Sequence, residues 1–293
     1  MAVAGWNRAL DDPFQQERVM VYAQFISAKS SGDNGYGRQA MPITGVGRGS
    51  EAGYRWPATS SGAALLLEQQ RASMELGQLL SSPVYYGIGV PYGDGSPIVL
   101  VPGFLGSDRY LAIMRAWLGR IGYRPHASGL QLTAGSPFAL IARVLERADR
   151  VAAAEGRPVT LIGHSLGGML SGVVAWLRPD IISHVVTLGS PRCNDPRSAT
   201  NPIVARLADV LIREGRTADS LAAERLLEQQ IFGGSLDERI RLTCFYTKSD
   251  AVVHWRACID AAPRTVAYEV QGTHSGLAWN PQVYRQLARV LIN

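Results

Sequence analysis

Short apolar runs alternate with helical stretches through most of this chain, and few folds accommodate that alternation. IVLV at 98–101, PVTLIG at 158–163, HVVTLG at 184–189, RLTCFYT at 241–247 and RTVAYEV at 264–270 are each too short for a helix. They are also rich in β-branched and aromatic residues, the composition of buried strands. A further short strand is expected near Tyr123–Ala127. Helix-forming segments at 108–121, 136–155, about 167–177 and about 281–291 fall between and after them. Buried strands separated by helices imply an α/β domain, with a mostly parallel central sheet and helices on both faces. In such sheets ligands bind at the carboxyl ends of the strands.

The segment ahead of this pattern reads differently. A helix is expected over Ala63–Leu80, then an aromatic strand VYYGIGV at 84–90, joined to IVLV through the turn-rich PYGDGSP. From Gly32 to Gly62 there are eight glycines in 31 residues, with Pro42 and Pro57 among them, and no helical or strand period. Residues 1–62 therefore read as a Gly-rich extension, either a flexible leader or an arm packed on the main domain, and 63–293 as the α/β domain.

One hexapeptide carries chemistry. Gly163-His164-Ser165-Leu166-Gly167-Gly168 directly follows the buried VTLI run and directly precedes a helical stretch. In a strand–sharp turn–helix the central serine is held at a strained φ/ψ with its hydroxyl pushed into the open, and Gly163 and Gly167 are needed because side chains would collide across the turn. The helix that starts there also aims free N–H groups and a positive dipole end at the same point.

A serine nucleophile needs a base and a group to orient that base. In this strand–turn–helix arrangement the acid and then the histidine follow the serine along the chain. Asp250 lies just past RLTCFYT and His274 just past RTVAYEV, both at carboxyl ends of strands. The expected roles are attack by Ser165, proton transfer by His274, and orientation of the imidazole by Asp250. Val101-Pro102-Gly103-Phe104-Leu105-Gly106 ends an earlier strand, so the Phe104 and Leu166 N–H groups are the expected oxyanion donors. His254 is the rival base and Asp260 the rival acid, each off the strand ends; His164, His126 and His184 read as structural.

Composition narrows the classes. The 293 residues are 46% hydrophobic, and the net charge of +5 rests almost wholly on scattered arginines, since Lys29 and Lys248 are the only lysines. No run of like charge suggests a nucleic-acid partner. Three cysteines (Cys193, Cys244, Cys258) without a CxxC pair argue against a zinc ribbon, and leave either one bridge (Cys193–Cys258) or free thiols. GVGRG at 45–49 lacks the spacing of a dinucleotide loop, and no metal motif is present, so no cofactor and no metal are expected. The first twenty residues have neither a basic n-region nor an apolar h-region. The chain as given therefore reads as cytoplasmic, or as secreted if a signal peptide has been removed.

Taken together, GHSLGG, the PGFLG loop at 102–106, TLGSP at 187–191, SDAVV at 249–253 and GTHSGL at 272–277 resemble the α/β-hydrolase lipases and esterases, bacterial triacylglycerol lipases of the small class above all. The resemblance covers about 97–293 and implies an α/β-hydrolase fold with Ser165, Asp250 and His274 as triad and Phe104 and Leu166 at the oxyanion hole. Pro102 departs from it, since many of these lipases carry histidine before the oxyanion glycine.

The insertion at about 192–237 is expected to form a small helical cap. One helix starts at Asn201-Pro202 with Ile203, Val204, Leu207, Val210 and Leu211 on one face, and a second runs over 218–230. It reads either as a lid lining an acyl pocket and meeting a lipid surface transiently, or as a fixed helical pair. The functional expectation is a serine carboxylic-ester hydrolase acting through an acyl-enzyme on a hydrophobic small-molecule or lipid ester. Acyl transfer or polyester hydrolysis with the same triad, and a non-catalytic binding protein on the same fold, remain alternatives.

Overall fold

The computed structural model describes residues 62–193, 195–213, 236–260 and 265–292. Six strands form one sheet, β1 (Pro97–Val101), β2 (Arg124–Ala127), β3 (Val159–His164), β4 (Ile182–Leu188), β5 (Arg241–Tyr246) and β6 (Thr265–Glu269), in the order β2-β1-β3-β4-β5-β6. Every neighbouring pair is parallel. The helices are α1 (Gly62–Leu80), α2 (Ala112–Arg120), α3 (Pro137–Glu155), α4 (Leu166–Leu177), α5 (Pro202–Arg213) and α6 (Pro281–Leu291).

Strand side chains alternate between two cores, as the period of two requires. Val99, Val101, Leu161, Val185 and Leu242 meet α3 and α4 through Ile141, Val144, Leu145, Leu170 and Val173. Ile98, Leu100, Ile162, Val186 and Phe245 meet α2 and α6 through Met114, Trp117, Tyr284 and Leu287. β1, β3, β4 and β5 are thus buried on both faces, which accounts for their unbroken apolar runs, whereas the edge strands β2 and β6 are partly exposed, so RTVAYEV is not the buried strand its composition suggests.

The order also fixes where a ligand can sit. From β1 the chain moves outward to β2, then crosses back to β3 on the other side of β1. The loops leaving β1 and β3 diverge at this switch point and open a crevice at the carboxyl edge. Residues 102–106 leave β1 there, and Ser165 leaves β3.

Three expectations need correction. VYYGIGV is not a strand: Pro83–Tyr86 forms a 3₁₀ turn, closed by Gly87 at φ 80°. Trp117 Nε1 donates to Val84 O at 2.8 Å, so this backbone serves as a cap over α2 rather than as a sheet edge. The helix expected at 108–121 spans only Ala112–Arg120, because the preceding residues are held in turns against 128–133; Asp108 accepts from the Ser128 and Gly129 N–H groups at 2.9 and 2.8 Å. In the insertion, α5 starts as expected, with Asn201 Oδ1 accepting from Ile203 N at 3.0 Å. Its Ile203, Leu207 and Val210 are exposed, however, and Val204, Ala205 and Ala208 face the cleft instead. The helix expected over 218–230 and the extension at 1–61 lie outside the described residues.

Candidate active site

The turn after β3 is as tight as its glycines suggest. Ser165 has φ 52° and ψ −123°, with its N–H bonded to Leu188 O at 2.8 Å. A Cβ on Gly167 would lie 2.1 Å from Val101 O, and one on Gly163 would lie 2.4 Å from Gly167 C, so neither position admits a side chain. Among the described residues, Ser165 and Leu105 are the non-glycine positions with positive φ, and both border the cleft loops. Such strain persists only where surrounding structure holds it. Leu105 was not singled out from sequence.

Asp250 and His274 come together from the loops after β5 and β6. His274 Nδ1 lies 2.7 Å from Asp250 Oδ2, and both side chains are almost wholly buried. Asp250 Oδ1 accepts from Val252 N at 2.8 Å and Val253 N at 2.7 Å, which fixes the carboxylate plane. Burial alone would push the His274 pKa down, but the charge and hydrogen bond of Asp250, with help from Glu68, hold it above its ordinary value. His274 Nδ1 therefore carries the proton toward the carboxylate, and Nε2 is left as the basic nitrogen.

The rival groups are occupied elsewhere. His254 stacks near Trp255, with ring centroids 6.2 Å apart, and burial and Arg256 lower its pKa. Asp260 pairs with Arg192 at 3.0 Å. His164 is buried, and its Nε2–H donates to His274 O at 2.9 Å; burial, then the nearby His274, push its pKa down to about 3, so the ring is neutral. His184 Nε2 lies 2.9 Å from Thr243 Oγ1, and His126 Nε2 lies 3.3 Å from Glu155. The Cys193–Cys258 bridge is not formed.

A cleft of about 680 Å³ opens beside Ser165, with Phe104, Leu166 and Met169 at its inner end and Val204, Ala205 and Ala208 of α5 on its wall. An ion pair between Arg197 and Asp209 lies toward α5 in the same wall. The N–H groups of Leu105 and Gly106 are committed to Thr133 O (3.0 Å) and Gly103 O (2.9 Å). A Cβ on Gly103 would approach within 3.0 Å of Ser165 Cβ, so the loop backbone passes directly against the nucleophile candidate. Among the described residues, no group of His, Cys, Asp and Glu is arranged to hold a metal.

Sequence reasoning overlooked three positions at this site. Gly189 sits at φ +61°, and a Cβ there would be 3.0 Å from His274 Nδ1 and 3.3 Å from Asp250 Oδ2. Glu75 of α1 is buried and accepts from Thr273 N (2.8 Å), Thr273 Oγ1 (2.7 Å) and Asn280 Nδ2 (3.0 Å). Glu68 of α1 is buried against the same loops. The glycine stood in plain view in TLGSP, but only the folded neighbours reveal what its missing side chain makes room for.

Comparison with known proteins agrees with this architecture. Residues 97–215 match the family model described as alpha/beta hydrolase fold. Over 159 residues the chain is 29% identical to a triacylglycerol lipase of Pseudarthrobacter phenanthrenivorans (45% of this chain, 50% of that one). It is also 29% identical to one of Burkholderia plantarii (45% and 44%). The match thus spans about half the length of these curated relatives. Among solved structures, the mature lipase BlEst2 of Bacillus licheniformis superposes with a TM-score of 0.51 at 16% identity, covering 70% of this chain and 96% of that one, which is a likeness of fold. The six-stranded parallel sheet and the matched segment give this chain an α/β-hydrolase fold, and about half of it is similar to triacylglycerol lipases.

Proposed function

We propose that the chain is a serine carboxylic-ester hydrolase that cleaves hydrophobic acyl esters through an acyl-enzyme. The observation that carries this reading is the buried His274–Asp250 pair, 2.7 Å apart, at the same sheet edge as the strained Ser165 elbow and its cleft. His274 Nε2 takes the Ser165 hydroxyl proton as Oγ attacks the ester carbonyl carbon. The imidazolium so formed is stabilised by Asp250 across Nδ1. The Phe104 and Leu166 N–H groups receive the tetrahedral oxyanion; those of Leu105 and Gly106 are already committed to Thr133 O and Gly103 O. Each such donor supplies on the order of 3 kcal/mol of transition-state stabilisation. His274 then protonates the leaving alcohol, and a water, deprotonated by the same nitrogen, releases the acid.

The mostly apolar inner wall of the cleft, Met169, Val204, Ala205, Val252 and Val253, favours an acyl chain over a charged group. The test is hydrolysis of p-nitrophenyl esters from C2 to C16 by wild type and Ser165→Ala. Cleavage that grows with chain length and vanishes in the variant is expected. Wild-type activity that survives Ser165→Ala, or no cleavage at any length, would refute the proposal.

A further inference from the structure

Helix α1 buries an unusual face. Its inward positions are Glu68, Ala72, Glu75 and Leu79, so two of four are carboxylates. Leu66, Leu67 and Met74, by contrast, are exposed. Burying a carboxylate is costly unless hydrogen bonds compensate, so its partners show what the burial achieves.

Glu75 is satisfied within one loop, 273–280. Glu68 divides its two oxygens between two loops. Oε2 accepts from Ala251 N at 3.2 Å, the residue after Asp250, and Oε1 accepts from Ser275 N at 3.2 Å, the residue after His274. Ser275 is also held by Gln69 Nε2 on its Oγ at 2.9 Å, and by Tyr110 OH on its carbonyl at 2.5 Å. The connections close on themselves: Glu68 to Ala251, along the chain to Asp250, across 2.7 Å to His274, along the chain to Ser275, and back to Glu68.

We infer that Glu68 is a positioning residue, which holds the Asp250 and His274 loops in register from a separate element and sets both the distance and the charge around the base. This rests on the serine-hydrolase reading above. A shift of either loop would break the circuit at Glu68 as well as at the His274–Asp250 bond, so neither loop moves alone. The carboxylate also adds a second negative charge beside the imidazole. The groups facing His274 are Asp250 from the β5 loop, Glu68 from α1, and the neutral His164 ring from the elbow, 4.9 Å between centroids. Those facing Glu68 are Asp250, His274 and Tyr110. Burial and then Asp250 raise the Glu68 pKa, partly opposed by His274.

The test uses the full chain as wild type, Ser165→Ala and Glu68→Gln, comparing labelling by a fluorophosphonate with the pH profile of p-nitrophenyl ester cleavage. Glutamine keeps the volume but offers one acceptor to two facing N–H groups, and it carries no charge. A fall in kcat of about tenfold is expected, short of the hundredfold that an ångström of misplacement costs. KM should stay within about twofold, because Glu68 does not line the cleft. The acid limb of kcat/KM should move to lower pH, since the imidazolium loses a neighbouring charge. Glu68→Asp keeps the charge with a shorter reach; it should lower kcat while leaving the limb in place, and it serves the same purpose if the amide does not fold.

Wild-type kcat, labelling rate and acid limb in Glu68→Gln would overturn the inference. So would a loss confined to KM or to melting temperature. If wild type itself is not labelled at Ser165, the serine-hydrolase reading fails instead, and the two failures are thereby distinguished.

Discussion

Gly189→Ala tests the packing around the acid–base pair most directly. At φ +61° any L-residue pays for a left-handed backbone, roughly 1–2 kcal/mol. The new methyl would also lie 2.9 Å from Leu277 Cδ1 and 3.0 Å from His274 Nδ1, inside normal contact distances by about half an ångström. Leu277 is fully buried and has no room to retreat, so overpacking adds about 1–2 kcal/mol. The total of about 2–4 kcal/mol should lower Tm by roughly 5–15 °C in a domain of this size. Displacing the ring by a few tenths of an ångström should reduce kcat at least about tenfold with little change in KM.

Gly156→Ala is the matched control: it has φ +64°, nothing within 4 Å of its Cβ, and a place at the far end of α3. It should show the backbone penalty alone, about 1–2 kcal/mol, with kcat unchanged. Thermal melts and ester kinetics on the two variants separate strain from contact. If Gly189→Ala costs no more than Gly156→Ala in both assays, the argument from the His274–Leu277 contact is wrong.

Further outcomes follow from other parts of the site. Asp250→Asn should preserve the fold but lower kcat by about 10³–10⁴, because the amide favours the wrong imidazole tautomer; a loss under tenfold by ester kinetics would count against Asp250 as the orienting acid. The raised His274 pKa has two signatures of opposite sense. Ester cleavage should fall on the acid side as the base takes up a proton, whereas the stability that the His274–Asp250 pair contributes is full below the unfolded value of about 6.5 and is lost as pH rises through the folded value. Comparing urea unfolding of wild type and His274→Ala across that range reads the second effect, and a difference that grew with pH would refute it. Glu75→Ala should strand the Thr273 and Asn280 donors and cost about 3–5 kcal/mol, seen as a lowered denaturant midpoint; a midpoint equal to wild type would show that water replaces the carboxylate.

The parts of the fold legible in the sequence are those governed by local pattern. Strands such as VTLI and HVVTL are buried on both faces and therefore show as apolar runs, and the elbow is written in glycines whose spacing reflects backbone collision. Asp250 and His274 could be proposed because each closely follows a strand, and the folded chain joins them at 2.7 Å. VYYGIGV misled because aromatic residues suit strands, whereas Gly87 and Gly89 at positive φ bend that backbone over Trp117. The inner face of α1 could not be found from hydrophobic period, since Leu66, Leu67 and Met74 are exposed and its buried stripe is half acidic. Glu68 and Glu75 acquire meaning only from loops about 200 positions away, and no local pattern records that.

That separation has a consequence for how the molecule is made. Glu68 bonds Ser275 across 207 residues of sequence, and Glu75 bonds Asn280 across 205. Closing so large a loop is entropically expensive and slow, so these bonds form after the sheet has assembled. A ribosome-bound chain that has released β1 through β4 holds the strands that flank the Ser165 elbow, while α1 still awaits the residues it must clamp. The His274–Asp250 pair would then be locked in one late step, when β6, the loop after it and α6 close against the helix that left the ribosome long before them.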